Sequence, residues 1–493
     1  MTPIQAFERI PNGGSAPLLS VPRLKPETFA EVIATTPGAR VISLFGLPED
    51  SAGLRLVAVV ARPGDTSLLV TSARVAGKYP ALTPSCPQAH LFEREIAEEW
   101  SVRPEGHPWL KPVRFPRAPD PGVMDYFEVE GDEVHEVAVG PVHAGVIEPG
   151  HFRFQCHGER VLHLEISLGY QHRGIEHALE GGPGKRTPHL IDAIAGDTSV
   201  GHALAYSMVV EALTGIEVSP RGHALRAAAL ELERMANHAG DFGALAGDIG
   251  YLPAAAYCGR IRGDLLNLTL VACGSRMGVG WVRPGGVEAD LLPADAHAMA
   301  RAVAQATEEL GRSFDLIRGN TTVRARLEDT GVLSRDIAEA LGMVGPAARA
   351  SGLDQDVRRD HPAGHYLEVG IPVATRDTGD VFARAGVRSL EVANSADFLA
   401  RVLPSLPPGP ARRNGSEPVL AHDRIAVSLV EGWRGEICHT AVTDERGRFR
   451  RYKIVDPSFH NWTGLAMAMR DQPISDFPLC NKSFNLSYSG HDL

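Results

Sequence analysis

Residues 169–206, GYQHRGIEHALEGGPGKRTPHLIDAIAGDTSVGHALAY, constrain the fold more than any other stretch. They crowd His172, Arg173, Glu176, His177, Asp192, Asp197 and His202 between two apolar runs. Ionisable groups set beside core-forming sequence cost free energy unless they are paired or used, so the stretch reads as a buried site. A solvated helix and loop whose charges face water would carry the same residues. The continuation of the chain decides between the two.

A chain of 493 residues is long enough for roughly two to four domains. Its formal net charge of -11 and the lack of a Lys/Arg-rich run exclude a nucleic-acid face, which phosphates require to be basic. No window approaches the ~18 consecutive apolar residues that would span a bilayer. The beginning, MTPIQAFERIPNGG, lacks a basic stretch followed by an apolar one, so no secretory signal and a cytosolic location are expected. The six cysteines, Cys86, Cys156, Cys258, Cys273, Cys438 and Cys480, contain no CxxC, and none is assigned chemistry.

Taken in order, PETFAEVIATT reads as a capped amphipathic helix, and VISLFGLPED, LRLVAVVARPG and SLLVTSARV read as strands. In HLFEREIAEEW, Leu91, Ile96 and Trp100 recur at helical spacing among acidic residues. The result is an α+β expectation: a small N-terminal α/β domain over 1–120, a Pro- and acid-rich linker over 121–136, and a second domain over 137–493. GER between FRFQC and VLHLEI marks a hairpin, with His143 and Glu148 in the loop that enters it. Helices are expected over 202–216 and from Pro220 onward, packed as neighbours in a central bundle. Arg226, Glu231, Arg234 and His238 on the second helix suit surface pairing as well as a site. Further helical pattern covers 290–319, 334–341 and 377–403. Strands around DERGR, the helix FHNWTGLAMAMRD and a polar tail expected to fray complete the chain.

In their order these motifs resemble a fusion of two subunits shared by respiratory complex I and the energy-converting [NiFe] hydrogenases of the formate hydrogenlyase type. EREIAEEWSVRPEGHPWLK is similar to the small hydrophilic (30 kDa-type) subunit. GPVH, GYQHRGIE, HALAYSMVVEALTGIEVSPR, LDQDVRRD, GDVFARAGVR, WRGE and KIVDPSFHN are similar to the large (49 kDa-type) subunit. The resemblance implies a hydrogenase large-subunit-like second domain with small peripheral sheets, on the cytoplasmic side of the cell membrane and peripheral to it. It also implies partner subunits that carry [4Fe-4S] clusters, and membrane-embedded antiporter-like and anchor subunits.

The family holds nickel and iron with four thiolates, one CxxC early and one late, because soft metals select sulfur. Here the early pair falls on Ala195 and Thr198 and the late pair on Ser487 and Gly490, so no nickel is expected. In complex I a His of the hairpin loop and a Tyr before the first bundle helix hold the quinone head. This chain keeps His143, but no Tyr lies between Glu180 and Asp197.

The resemblance therefore implies quinone binding without the family's full ligand set. What remains is a polar pocket lined by Asp197, Thr198, Ser199, Asn485 and Ser487 and reached from His143, Glu148 and Glu176. His202 is a further candidate on the proton path, and His172 and Arg173 are candidates for holding the acceptor. Such carboxylates and imidazoles are expected to pass protons.

The expected function is an oxidoreductase subunit of NADH-quinone oxidoreductase type. It takes electrons from partner iron-sulfur clusters to a quinone or quinone-like acceptor, with ion translocation by membrane subunits. A nicotinamide cofactor enters only as the ultimate donor in related complexes, since no GxGxxG follows a strand here. The alternatives are a non-catalytic scaffold whose pocket has filled with hydrogen-bonding residues and, against the missing thiolates, a hydrogenase.

Overall fold

The computed structural model describes residues 6–49, 53–116, 120–143, 147–413 and 419–493. Arg40–Glu49, Gly53–Ala61 and Ser67–Val75 are nearly continuous runs of Val, Leu, Ile and Ala because both faces of their sheet are covered. They pair antiparallel. Glu8–Pro11 extends the sheet beside Ser67–Val75, and Arg23–Leu24 runs parallel to the same strand. The helix Pro26–Thr35 buries Phe29 and Ile33, but the expected side-chain cap is absent. Lys25 stands at the N-cap position, and Pro26 starts the helix with its preset φ. The helix His90–Trp100 forms as expected, yet Glu93, Arg94 and Glu95 are buried along with Leu91 and Ile96.

The hairpin His151–His157 and Arg160–Ser167 turns at Gly158, whose φ of 58° suits a glycine, and Val134–Val139 adds a third strand. Helix Ser199–Thr214 ends at Gly215 in the left-handed region, and Ser219 caps the next helix, Pro220–Asp248, by accepting from Gly222 N. That 29-residue helix is covered almost all round, with Leu252–Cys273 and Val381–Val402 packed against it. Arg226, Glu231, Arg234 and His238 are therefore buried, and the surface-pairing alternative fails for all four.

Strands Arg424–Gly432, Gly435–Thr443 and Phe449–Val455 form an antiparallel sheet, followed by helix Pro457–Ala468. Its fourth strand is Gly14–Pro17, paired with Arg424–Val427 from the other end of the chain. Val427, Leu429 and Val455 consequently share one apolar core with Phe45, Val59 and Phe92. The tail does not fray: Asp492 and Leu493 are 0% and 2% exposed. Asp492 Oδ2 accepts from Gly169 N and Gln171 N, and Arg114 donates to Leu493 O. Among the described residues no helix is long and apolar enough to cross a membrane.

Candidate functional site

The turn Gly196–Thr198 delivers Asp197 to Arg434, which follows Trp433 in the turn between strands Arg424–Gly432 and Gly435–Thr443. Arg434 grips both carboxylate oxygens at 2.6 and 2.7 Å. Its guanidinium lies 3.9 Å over the Trp433 ring, and its Nε donates to Asn485 O at 2.5 Å. Thr198 Oγ1 donates to Asp197 and accepts from Trp433 Nε1 at 3.1 Å. Burial would raise the Asp197 carboxyl, but Arg434 holds it below the usual carboxylate range.

Asn485, at a φ of 49°, turns its side chain to Asp241, which pairs with Arg388 at 2.6 Å. Ser487 Oγ caps the last turn by accepting from Gly490 N at 2.9 Å. Arg434 thus ties Asp197, Thr198 and Asn485 together.

The four positions where the family places thiolates carry a methyl, two hydroxyls and a glycine. The Gly490 position is closed by more than the loss of a side chain. A Cβ there would come within 2.6 Å of Asp456 Cγ and 2.7 Å of Oδ2. Asp456 is 0% exposed and caps helix Pro457–Ala468 through Ser458 N. His202 Nε2 meets its Oδ2 at 3.1 Å. A hard carboxylate and a guanidinium stand where soft sulfur would be needed, so these residues do not fit a thiolate-held nickel–iron centre. Among the described residues no group of three or more His, Cys, Asp and Glu is arranged to hold a metal ion.

The remaining candidates divide. Glu148 accepts from Tyr488 N at 3.4 Å, and Tyr488 packs edge-on against Phe152, so the hairpin loop touches the tail. His143 Nε2 contacts Gly150 O at 2.9 Å and its ring packs on Phe152, which keeps the imidazole within its own loop. Residues 144–146 of that loop lie outside the described residues. Arg173 donates to Ala193 O, Ile194 O and Ser489 O and so clamps the tail to the turn that carries Asp197.

His172 and Glu176 turn elsewhere. His172 Nδ1 is buried without a hydrogen-bond partner, and burial, then the charge of Arg114, lowers its pKa. Glu176 lies in a buried ionic cluster with Arg114, Arg451 and Lys453, the last at 3.0 Å. Glu95 of EREIAEEW joins this cluster through Lys453 at 2.7 Å and Arg114 at 3.0 Å.

Arg434 and Asp456 are site residues that a reading of the sequence for chemistry does not single out. Both sit in motifs, WRGE and KIVDPSFHN, that carry the resemblance, and a charge fixed inside such a motif is the available signal. Behind the site a second network is fully enclosed: Arg234 meets Glu231 and Glu391, Arg349 bridges Glu391 and Glu431, and Arg358 joins Glu231 to Asp356. A separate cavity lined by Met208, His223, Arg226 and Tyr366 shares no residue with the Asp197 site.

The sequence model of the family described as respiratory-chain NADH dehydrogenase, 49 Kd subunit, matches residues 248–428. Formate hydrogenlyase subunit 5 of Escherichia coli (strain K12) is 29% identical over 439 residues, covering 84% of this chain and 77% of that protein. The carbon monoxide-induced hydrogenase of Rhodospirillum rubrum is 30% identical over 353 residues, covering 71% and 97%. The C/D subunit of the NADH-quinone oxidoreductase of Phocaeicola vulgatus is 28% identical over 435 residues, covering 80% and 83%. A protein of the membrane-bound sulfane sulfur reductase, an archaeal respiratory membrane complex, superposes with a TM-score of 0.69 at 24% identity, covering 73% of this chain and 99% of that one, a likeness of fold.

Proposed function

Because this chain belongs to the family of the 49 kDa subunit of respiratory-chain NADH dehydrogenase and the membrane-bound hydrogenases, with a 30 kDa-type part fused ahead of it, we propose that it works as the acceptor-side subunit of a complex I-like oxidoreductase without nickel. Electrons come from iron-sulfur clusters on partner subunits and go to a quinone or quinone-like molecule. Antiporter-like and anchor subunits in the membrane couple the reaction to ion movement, and this chain docks on them from the cytoplasmic side.

The observation that carries this reading is the replacement of the thiolate set by a hydrogen-bonded set. Asp456 fills the space at Gly490, and Arg434 binds Asp197, Thr198 and the tail together. Such groups hold and move protons, which reduction of a quinone requires, and they offer soft metals nothing. The acceptor approaches where the loop bearing Glu148 and the clamp of Arg173 meet the tail at Tyr488 and Ser489.

A native complex purified from membranes should contain iron without nickel and reduce a quinone analogue in an inhibitor-sensitive way. Stoichiometric nickel in that sample sinks the reading. A scaffold role is the second reading, favoured by the way Arg434 occupies both oxygens of Asp197 with the chain's own side chain. It predicts that Asp197→Ala, with assembly intact, leaves turnover of the complex unchanged, whereas the acceptor reading predicts a loss of tenfold or more.

A further inference from the structure

The cavity that shares no residue with the Asp197 site has a volume of about 270 Å³. Helix Ser199–Thr214 brings Leu204 and Met208 to it, helix Pro220–Asp248 brings Ala227 and Leu230, and strand Arg424–Gly432 brings Leu429 and Val430. Two glycines with positive φ close the wall. A Cβ at Gly13 would come within 2.9 Å of Met208 Cε, and one at Gly364 within 2.9 Å of His223 Nδ1, so backbone lies against both side chains more tightly than another residue allows.

The carboxylates and guanidiniums that line the cavity are already paired. Arg226 forks onto Glu211 at 2.5 and 3.1 Å, Arg358 meets Asp356 at 2.6 Å and Glu231 at 3.1 Å, and Glu431 accepts from Arg349 at 2.8 Å. A charged guest would give up its water and find no free counter-ion.

The imidazoles are less fully used. His365 faces Glu368 at 3.3 Å. His361 is 4% exposed and donates from Nδ1 to Thr66 O, which leaves Nε2 without a partner among the described residues. His223 is half-buried, and its ring makes no hydrogen bond among the described residues. Burial, then the charge of Arg226, lowers its pKa, so the neutral ring offers one donor and one acceptor.

We propose that this cavity binds a neutral two-ring aromatic molecule bearing one hydroxyl, with the rings against Met208 and Leu230 and the hydroxyl on His223. An apolar cavity of about 150 Å³ holds one benzene ring, so the larger volume here suits two fused rings. A thioether and aliphatic side chains suit the flat faces of such a guest. A hydroxyl both donates and accepts, so it satisfies either tautomer of His223. None of this depends on the Asp197 site being an acceptor pocket.

The test titrates the full chain with β-naphthol at neutral pH and follows the probe's fluorescence. In bulk water excited naphthol loses its proton and emits as the anion, whereas in a dry site it emits as the neutral molecule. Naphthalene and β-naphthoate compete against it. β-Naphthol should saturate one site and bind about three- to tenfold tighter than naphthalene, the worth of one hydrogen bond. β-Naphthoate should not compete.

His223→Leu should bring β-naphthol and naphthalene to equal affinity. Ala227→Leu should fill the cavity and weaken both by about tenfold or more. Ala212→Leu, at a half-buried position on the neighbouring helix, does the same if Ala227→Leu fails to fold in a thermal melt. Absence of saturable β-naphthol binding, or binding unchanged in the filled variants, overturns the site. Naphthalene or β-naphthoate binding as tightly as β-naphthol overturns the ligand class.

Discussion

Arg434 meets Asp197 with two parallel bonds while stacking on Trp433, and so favours the charged carboxylate. Arg434→Gln removes the charge, one of the two bonds and the bond to Asn485 O. Breaking a fully enclosed ion pair costs about 3–5 kcal/mol, and the Asp197 side chain is 34% exposed, so about 2 kcal/mol is expected. Arg434→Lys should recover less than half of that, since an ammonium neither forks nor stacks. Urea unfolding midpoints of the two variants check both statements.

At this scale the sequence is informative about residue type and silent about partners. Asp197 and Ser487 are legible from the family spacing. Arg434 and Asp456 are not, because their importance comes from the close approach of a turn and a helix start to the tail, a fact of tertiary packing.

The tail shows the same at the scale of an element. FPLCNKSFNLSYSGHDL is polar and contains a glycine, which locally argues for fraying. It is held instead by groups far away in the chain, since Asp492 accepts from Gly169 N and Gln171 N, and Arg173 reaches Ser489 O. Asp492→Ala strands two backbone donors and should cost about 1–3 kcal/mol. It should also make the last turn a site of early cleavage in limited proteolysis followed by mass spectrometry, while the wild-type tail resists.

The helix Pro220–Asp248 is the opposite case. Its proline start and its apolar spacing are legible in the sequence. Its charges are ambiguous there, because i,i+3 geometry is identical on a wet face and in an enclosed network. The Glu231–Arg234 pair is an i,i+3 pair, but both side chains are 0% exposed.

Across the whole molecule the N-terminal part, through its helix His90–Trp100, is joined to the rest by ions as well as by core. Lys453 lies between Glu95 and Glu176 at 2.7 and 3.0 Å and is 1% exposed. Lys453→Met leaves two buried carboxylates to share Arg114 and Arg451, and should destabilise by about 3 kcal/mol in a thermal or urea melt. The alternation of RRYK marks a strand, and nothing in it tells which face meets EREIAEEW.

Acid should weaken the same seam. Burial, then Arg40, lowers His460 to about 4, and burial, then Arg94, lowers His90 to about 3. His460 packs edge-on against Phe92, and His90 Nε2 contacts Thr463 Oγ1. Between these values and the ordinary histidine range of about 6.5 the unfolded chain binds more protons than the folded one. Stability is therefore complete above about pH 6.5 and falls as pH drops toward 4, by up to ~3 kcal/mol for His460 alone. His460→Gln should flatten that slope of the urea midpoint against pH.

The pairing of Gly14–Pro17 with Arg424–Val427 also sets a timetable. Ser15 and Arg424, bonded side chain to side chain, are 409 residues apart in sequence. At bacterial and eukaryotic elongation rates the ribosome needs about 20 to 80 s to make the intervening chain. Throughout that interval Gly14–Pro17 has no edge to join. The newborn chain therefore presents Gly14–Pro17 as an open strand, a template for pairing with other chains, until Arg424–Val427 has been made.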